Sequence, residues 1–84
     1  MAKCRELLAR ARVQPASVSF DDVCALAECF GFVLARQRGS HRLYKRSGLR
    51  VMMNFQPDHG GMAKTYQVRQ LLTAVEQLEG GGGR

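Results

Sequence analysis

The apolar residues of this chain fall into two helical stripes with an alternating stretch between them. Phe20, Val23, Cys24, Ala27 and Phe30 recur at helical spacing and predict an amphipathic helix. Ser19 stands where an N-cap belongs, and Asp21 and Asp22 follow in the first turn, where the helix dipole favours anions. Gly31 follows the last apolar position, as a C-terminal glycine should. Three strand signals come next, at residues 32–38, 41–46 and 49–55. Gly39-Ser40 separates the first two and Ser47-Gly48 the last two. In the third, Leu49, Val51, Met53 and Phe55 share one side and are assigned to the core, while Arg50, Met52 and Asn54 face out. The second strand is ambiguous: His41 and Leu43 share one side, Arg42 and Tyr44 the other. Val68, Leu71, Leu72 and Val75 form the second helical stripe, with Thr65 as its expected cap and residues 56–64 as a glycine-bearing loop before it.

The order helix, strand, strand, strand, helix predicts an α+β fold, a three-stranded antiparallel sheet with its helices on one face. This is the topology of double-stranded-RNA-binding domains. Residues 1–18 are expected to be an N-terminal extension, with a short helix over residues 3–12. Residues 19–79 are the main domain, and the glycine-rich tail 80–84 is expected to be disordered. A chain of 84 residues holds one thin core and leaves no room for a separate cofactor domain.

Charge adds the first functional hint. Lys and Arg number 13 against 7 Asp and Glu, a net charge of +6. Such a balance favours polyanionic partners. Arg36, Arg38, Arg42, Lys45, Arg46 and Arg50 are clustered with no acidic residue among them. Cys4, Cys24 and Cys29 make an odd count with no CxxC pair. They read as free thiols in a reducing cytoplasm, not as a disulfide framework or a zinc site. The most apolar stretch is too short to span a bilayer and includes Glu28, so no membrane partner is expected.

Gly39-Ser40-His41 is the sharpest local feature. Gly39 allows a tight turn and Ser40 is small, so the pair would present an imidazole at the start of a strand beside Arg38 and Arg42. Histidine titrates near neutrality and can move protons at cellular pH. Cleaving RNA through its own 2′-hydroxyl needs one proton removed and one returned, while arginines stabilise the charge that gathers on phosphate. The plain alternative is a surface histidine in a basic turn. One such group supplies about 10²–10⁴-fold, so a single-histidine site implies a slow nuclease. His59 could complete an acid/base pair, but a histidine beside Asp58 is more often exposed or bonded to that carboxylate. Tyr44 and Tyr66 could stack on bases or pack into the fold. Lys64 and Arg69 flank the start of the last helix, where phosphates bind well.

The run Val18-Ser19-Phe20-Asp21-Asp22, the pair Gly31-Phe32, the segment from Arg38 through Gly39, Ser40, His41, Arg42 and Leu43 to Tyr44, the run Asn54-Phe55-Gln56-Pro57, and Tyr66 to Leu72 together resemble the HicA (YcfA-like) toxin family. Gly-Ser-His with a tyrosine three places on is the most specific piece. The resemblance covers residues 18–78, and residues 1–17 extend beyond it. It implies a double-stranded-RNA-binding-domain-like fold and a metal-independent ribonuclease acting on messenger RNA without a cofactor. It also implies a HicB-like antitoxin that covers the active site. The family's catalytic histidine maps to His41. Arg36, Arg38, Gly39, Ser40, Arg42, Tyr44, Lys45, Lys64 and Arg69 are the expected RNA-binding set. A non-catalytic RNA-binding module, or a protein-interaction domain with a cationic face, would share the same fold.

Overall fold

The computed structural model describes residues 2–50 and 52–78. The expected core role of Val51 and the expected disorder of the tail lie outside the described residues. Among the described residues the chain forms α1 (Ala2–Val13), a single 3-10 turn (Pro15–Ser17), α2 (Phe20–Cys29), β1 (Val33–Arg38), β2 (His41–Lys45), β3 (Met53–Phe55) and α3 (Thr65–Glu76). The strands make one antiparallel sheet in the order β1-β2-β3, as the α+β pattern predicts. No helix among the described residues is long and apolar enough to cross a membrane.

The signals around α2 act as written. The Asp22 N–H donates to Ser19 Oγ at 3.1 Å, satisfying one of the free donors of the first turn. At the other end Gly31 takes φ +88°, and its N–H donates to the Glu28 carbonyl while that of Phe32 donates to the Ala27 carbonyl. This is a Schellman closure, and it turns the chain so that Phe32 enters the core. Arg46 locks the same corner: its Nε donates to the Phe30 carbonyl at 2.7 Å. One cation of the basic cluster is therefore used on a helix end.

The core lies between the sheet and the helices, with Val23, Leu26, Phe32, Tyr44, Phe55, Val68, Leu71 and Val75 fully buried. Both α2 and α3 pack on β3, which leaves β1 as an exposed edge strand. α1 joins the core through Leu7 and Ala11. That docking brings Cys4 beside the end of α2, where it is bonded to Cys29 with a Cα–Cα distance of 5.9 Å. The expectation of three free thiols is thus corrected. The partner of Cys29 is 25 residues away, on a helix whose docking the local cysteine spacing does not reveal. Only buried Cys24 is free, and the cysteines no longer argue for a reducing compartment.

Two boundaries also differ. β3 is confined to Met53–Phe55, because Arg46-Ser47-Gly48-Leu49 closes a turn and the chain rejoins the ladder late. α3 begins at Thr65 with Lys64 in the N-cap position and no side-chain cap.

Candidate nucleic-acid interface

The faces of the sheet follow from its register. Residues directly opposite each other on paired strands share a face. Tyr44 opposes Met53 and Leu34, and Arg42 opposes Phe55 and Gln37. Buried Tyr44, Met53 and Phe55 identify this as the face toward the helices. The other face carries His41 opposite Arg38, Leu43 opposite Arg36 and Asn54, and Lys45 opposite Val33. Three cations and an imidazole therefore share a surface that no helix covers, and no acidic residue stands among them.

A bulge makes this possible. The β1–β2 ladder slips between Leu34 and Arg36, leaving Ala35 as the extra residue. With strict alternation Leu34, Arg36 and Arg38 would all point the same way. The extra residue reverses the phase, so Leu34 stays on the helix side while Arg36 and Arg38 move to the side of His41.

The turn before His41 is equally specific. Arg38 pairs with His41 across Gly39-Ser40, and Gly39 holds φ +58° while Ser40 does not take a positive φ. That pattern fits a II′ hairpin turn, whose first central position favours glycine. His41 itself is exposed.

Other members of the expected RNA-binding set lie elsewhere. Tyr44 is only 1% exposed, and its hydroxyl donates to Glu28 Oε2 at 3.3 Å. Base stacking is closed to it, because alternation places it on the face away from His41 and inside the core. Burial, with Cys24 and Glu28 nearby, pushes its phenol up to about 12. Burial also raises the Cys24 thiol. Arg42 shares the helix side. Its guanidinium lies 5.0 Å from the centre of the Phe20 ring, and its Nε is buried without a hydrogen-bond partner. It acts as a lid on the core more than as part of the open surface. Arg69 is exposed on α3. Tyr66 is 59% exposed, and its hydroxyl accepts from Gln67 Nε2.

Asn54 faces out as the alternation predicts, and Leu43 shares the side of His41, but sequence reasoning missed Gln67. That amide is buried, and its Oε1 accepts the Gln56 N–H at 3.0 Å, tying the exit of β3 to α3. Its position four residues before Leu71, at the edge of the apolar stripe, was the one available signal. The loop after β3 is more ordered than its glycines suggest. Pro57 bridges to Ala63 and Ser19 to Met62. Asp58 Oδ1 accepts from Gly60 N–H at 2.8 Å and Met62 N–H at 2.9 Å. The backbone N–H groups of Met62 and Gly60 hold its carboxyl below the usual range, with a smaller contribution from the charges of His59 and Lys64. Asp58 is thus bonded to its own loop and not to His59. This loop and the hairpin turn border an open cleft of about 360 Å³, lined by Ser40, Gln56, Pro57, Asp58, His59 and Lys64. Among the described residues no group of His, Cys, Asp and Glu has the arrangement to hold a metal ion.

No curated protein and no solved structure gives a significant match to the chain. A family model does: that of the HicA toxin of bacterial toxin–antitoxin systems matches residues 20–77, from the start of α2 past the end of α3. The match takes in every strand of the sheet, the Gly39-Ser40-His41 turn and the helices that back them, and so this chain belongs to the HicA toxin family, a membership that implies a cognate antitoxin.

Proposed function

We propose that this toxin is a metal-independent endoribonuclease that cleaves messenger RNA, with His41 as the general acid/base. The observation that carries the reading is the placement of His41 on the open face directly opposite Arg38, with Arg36 and Lys45 on the same face. RNA laid across this surface meets cations along its backbone and an imidazole at the end of the sheet. His41 takes the proton of a 2′-hydroxyl, and the 2′-oxygen forms a bond to the neighbouring phosphorus. The bond from phosphorus to the 5′-oxygen breaks, that oxygen leaves with the proton returned by the His41 imidazolium, and a 2′,3′-cyclic phosphate remains. Arg38 and Arg36 stabilise the charge on the phosphoryl oxygens as it builds.

A HicB-like antitoxin is the partner that silences this face, and messenger RNA as substrate places the reaction in the cytoplasm. The test compares the protein with His41→Ala on single-stranded RNA in the presence of EDTA. Cleavage should fall by about 10²–10⁴-fold in the variant while RNA binding persists. Equal cleavage by both would remove His41 from the chemistry, and RNA binding by both with no cleavage would leave an RNA-binding module in place of a nuclease.

A further inference from the structure

The cleft beside His41 has the makings of a nucleotide site, and three observations lead there. The first is rigidity. Its outer wall is fixed by the bond from Gln56 N–H to Gln67, the Pro57–Ala63 bridge and the Asp58 turn. A wall set before binding loses little entropy when a ligand arrives. The second is unused chemistry. Gln56, His59 and Lys64 line the cleft, and their side chains make no hydrogen bond among the described residues. A carboxamide offers both a donor and an acceptor to a base edge, an imidazole offers a ring to stack on, and an ammonium offers a charge to a phosphate. The third is size and position. About 360 Å³ lies near the lower bound of ligand pockets, suited to one nucleotide and too small for a stacked base pair. Ser40 forms one wall and is bonded directly to His41, so whatever fills the cleft adjoins the reacting phosphodiester.

We propose that the cleft receives one unpaired nucleotide next to the scissile phosphate, with Gln56 reading its base edge, His59 stacking on the base and Lys64 holding its phosphate. The chain then selects single-stranded over base-paired RNA and prefers certain bases at that position. The location along the strand rests on the proposed role of His41; the binding itself does not.

The experiment uses the full chain carrying His41→Ala, so that RNA is bound without being cut. Fluorescence anisotropy measures its affinity for short oligo(A), oligo(C) and oligo(U), and for a blunt hairpin duplex. Single strands should bind at least about tenfold tighter than the duplex. Adding His59→Ala should weaken single-strand binding by about tenfold, the effect of losing one stacked base. Gln56→Ala should narrow the spread among the three oligonucleotides. Lys64→Ala should weaken all three alike and lower the log–log salt slope by about 0.7. Variants that bind as tightly as their parent, or a duplex that binds as well as single strands, overturn the proposal. A parental chain that cuts RNA while these variants bind unchanged keeps the nuclease reading and removes the nucleotide site. One that binds through the cleft but does not cut does the reverse.

Discussion

Arg38 and Arg42 flank the same histidine, yet the fold sends them to opposite faces of the sheet. Arg38 stands opposite His41 on the open side. Arg42 lies over Phe20 on the helix side. Their charge is the same; what differs is the company each side chain keeps. One has solvent and other cations around it, and the other has an aromatic ring, a buried thiol and a phenol. A basic cluster in sequence is therefore not a basic patch in space. Of its members, Arg42 and Arg46 serve the fold, while Arg36, Arg38 and Lys45 stand exposed on the open face.

The contrast between faces is sharpest on β3. Phe55 is buried and packs against Tyr44 at 5.6 Å between ring centres, whereas Asn54 beside it is exposed. Phe55→Ala should lower unfolding free energy by about 3–5 kcal/mol. Asn54→Ala should change it by less than about 0.5 kcal/mol. Denaturant unfolding of both variants checks this. A similar loss from each would mean that the open face is packed against something.

These assignments were legible in sequence where one physical rule governs a position. Ser19, Gly31 and the Met53/Phe55 alternation needed only local chemistry, and each is found as expected. The Gly39-Ser40 turn before His41 was visible for the same reason. Three features were hidden because they depend on distant parts of the chain. The bulge at Ala35 has no glycine or proline to announce it, so the facing of Arg36 and Arg38 could not be read from alternation. β2 was ambiguous because arginine has an apolar stem and a charged tip, and either can decide its side. The Cys4–Cys29 bond required knowing that α1 docks at all.

Acid–base behaviour separates the faces as well. Tyr44 is neutral inside the fold and its phenol is pushed up to about 12, against about 10 for a free tyrosine. The folded state thus favours the protonated form. The stability this contributes is complete below pH about 10 and is lost as pH rises toward about 12. The chain has two tyrosines, so Tyr66→Phe leaves Tyr44 as the only one. Phenolate absorbance of that variant should reach its midpoint near 12 and coincide with alkaline unfolding. A midpoint near 10 in a folded protein would place the Tyr44 hydroxyl in solvent and undo the face assignment.

The smallest effects bear on the two arginines themselves. Arg42→Ala removes a guanidinium stacked on Phe20 and exposes the core edge around Cys24. It should lower stability by about 1 kcal/mol. RNA affinity should change little once the variant is compared under conditions where it is fully folded. Arg38→Ala should do the opposite. Its stability should match the parent within about 0.5 kcal/mol. The log–log salt slope for single-stranded RNA should become shallower by about 0.7, the loss of one phosphate contact. Measuring both quantities on both variants makes the comparison decisive, because each serves as the control for the other. If Arg42→Ala flattens the salt slope as much as Arg38→Ala does, RNA reaches around the hairpin. The division of the basic cluster between fold and ligand would then have to be redrawn.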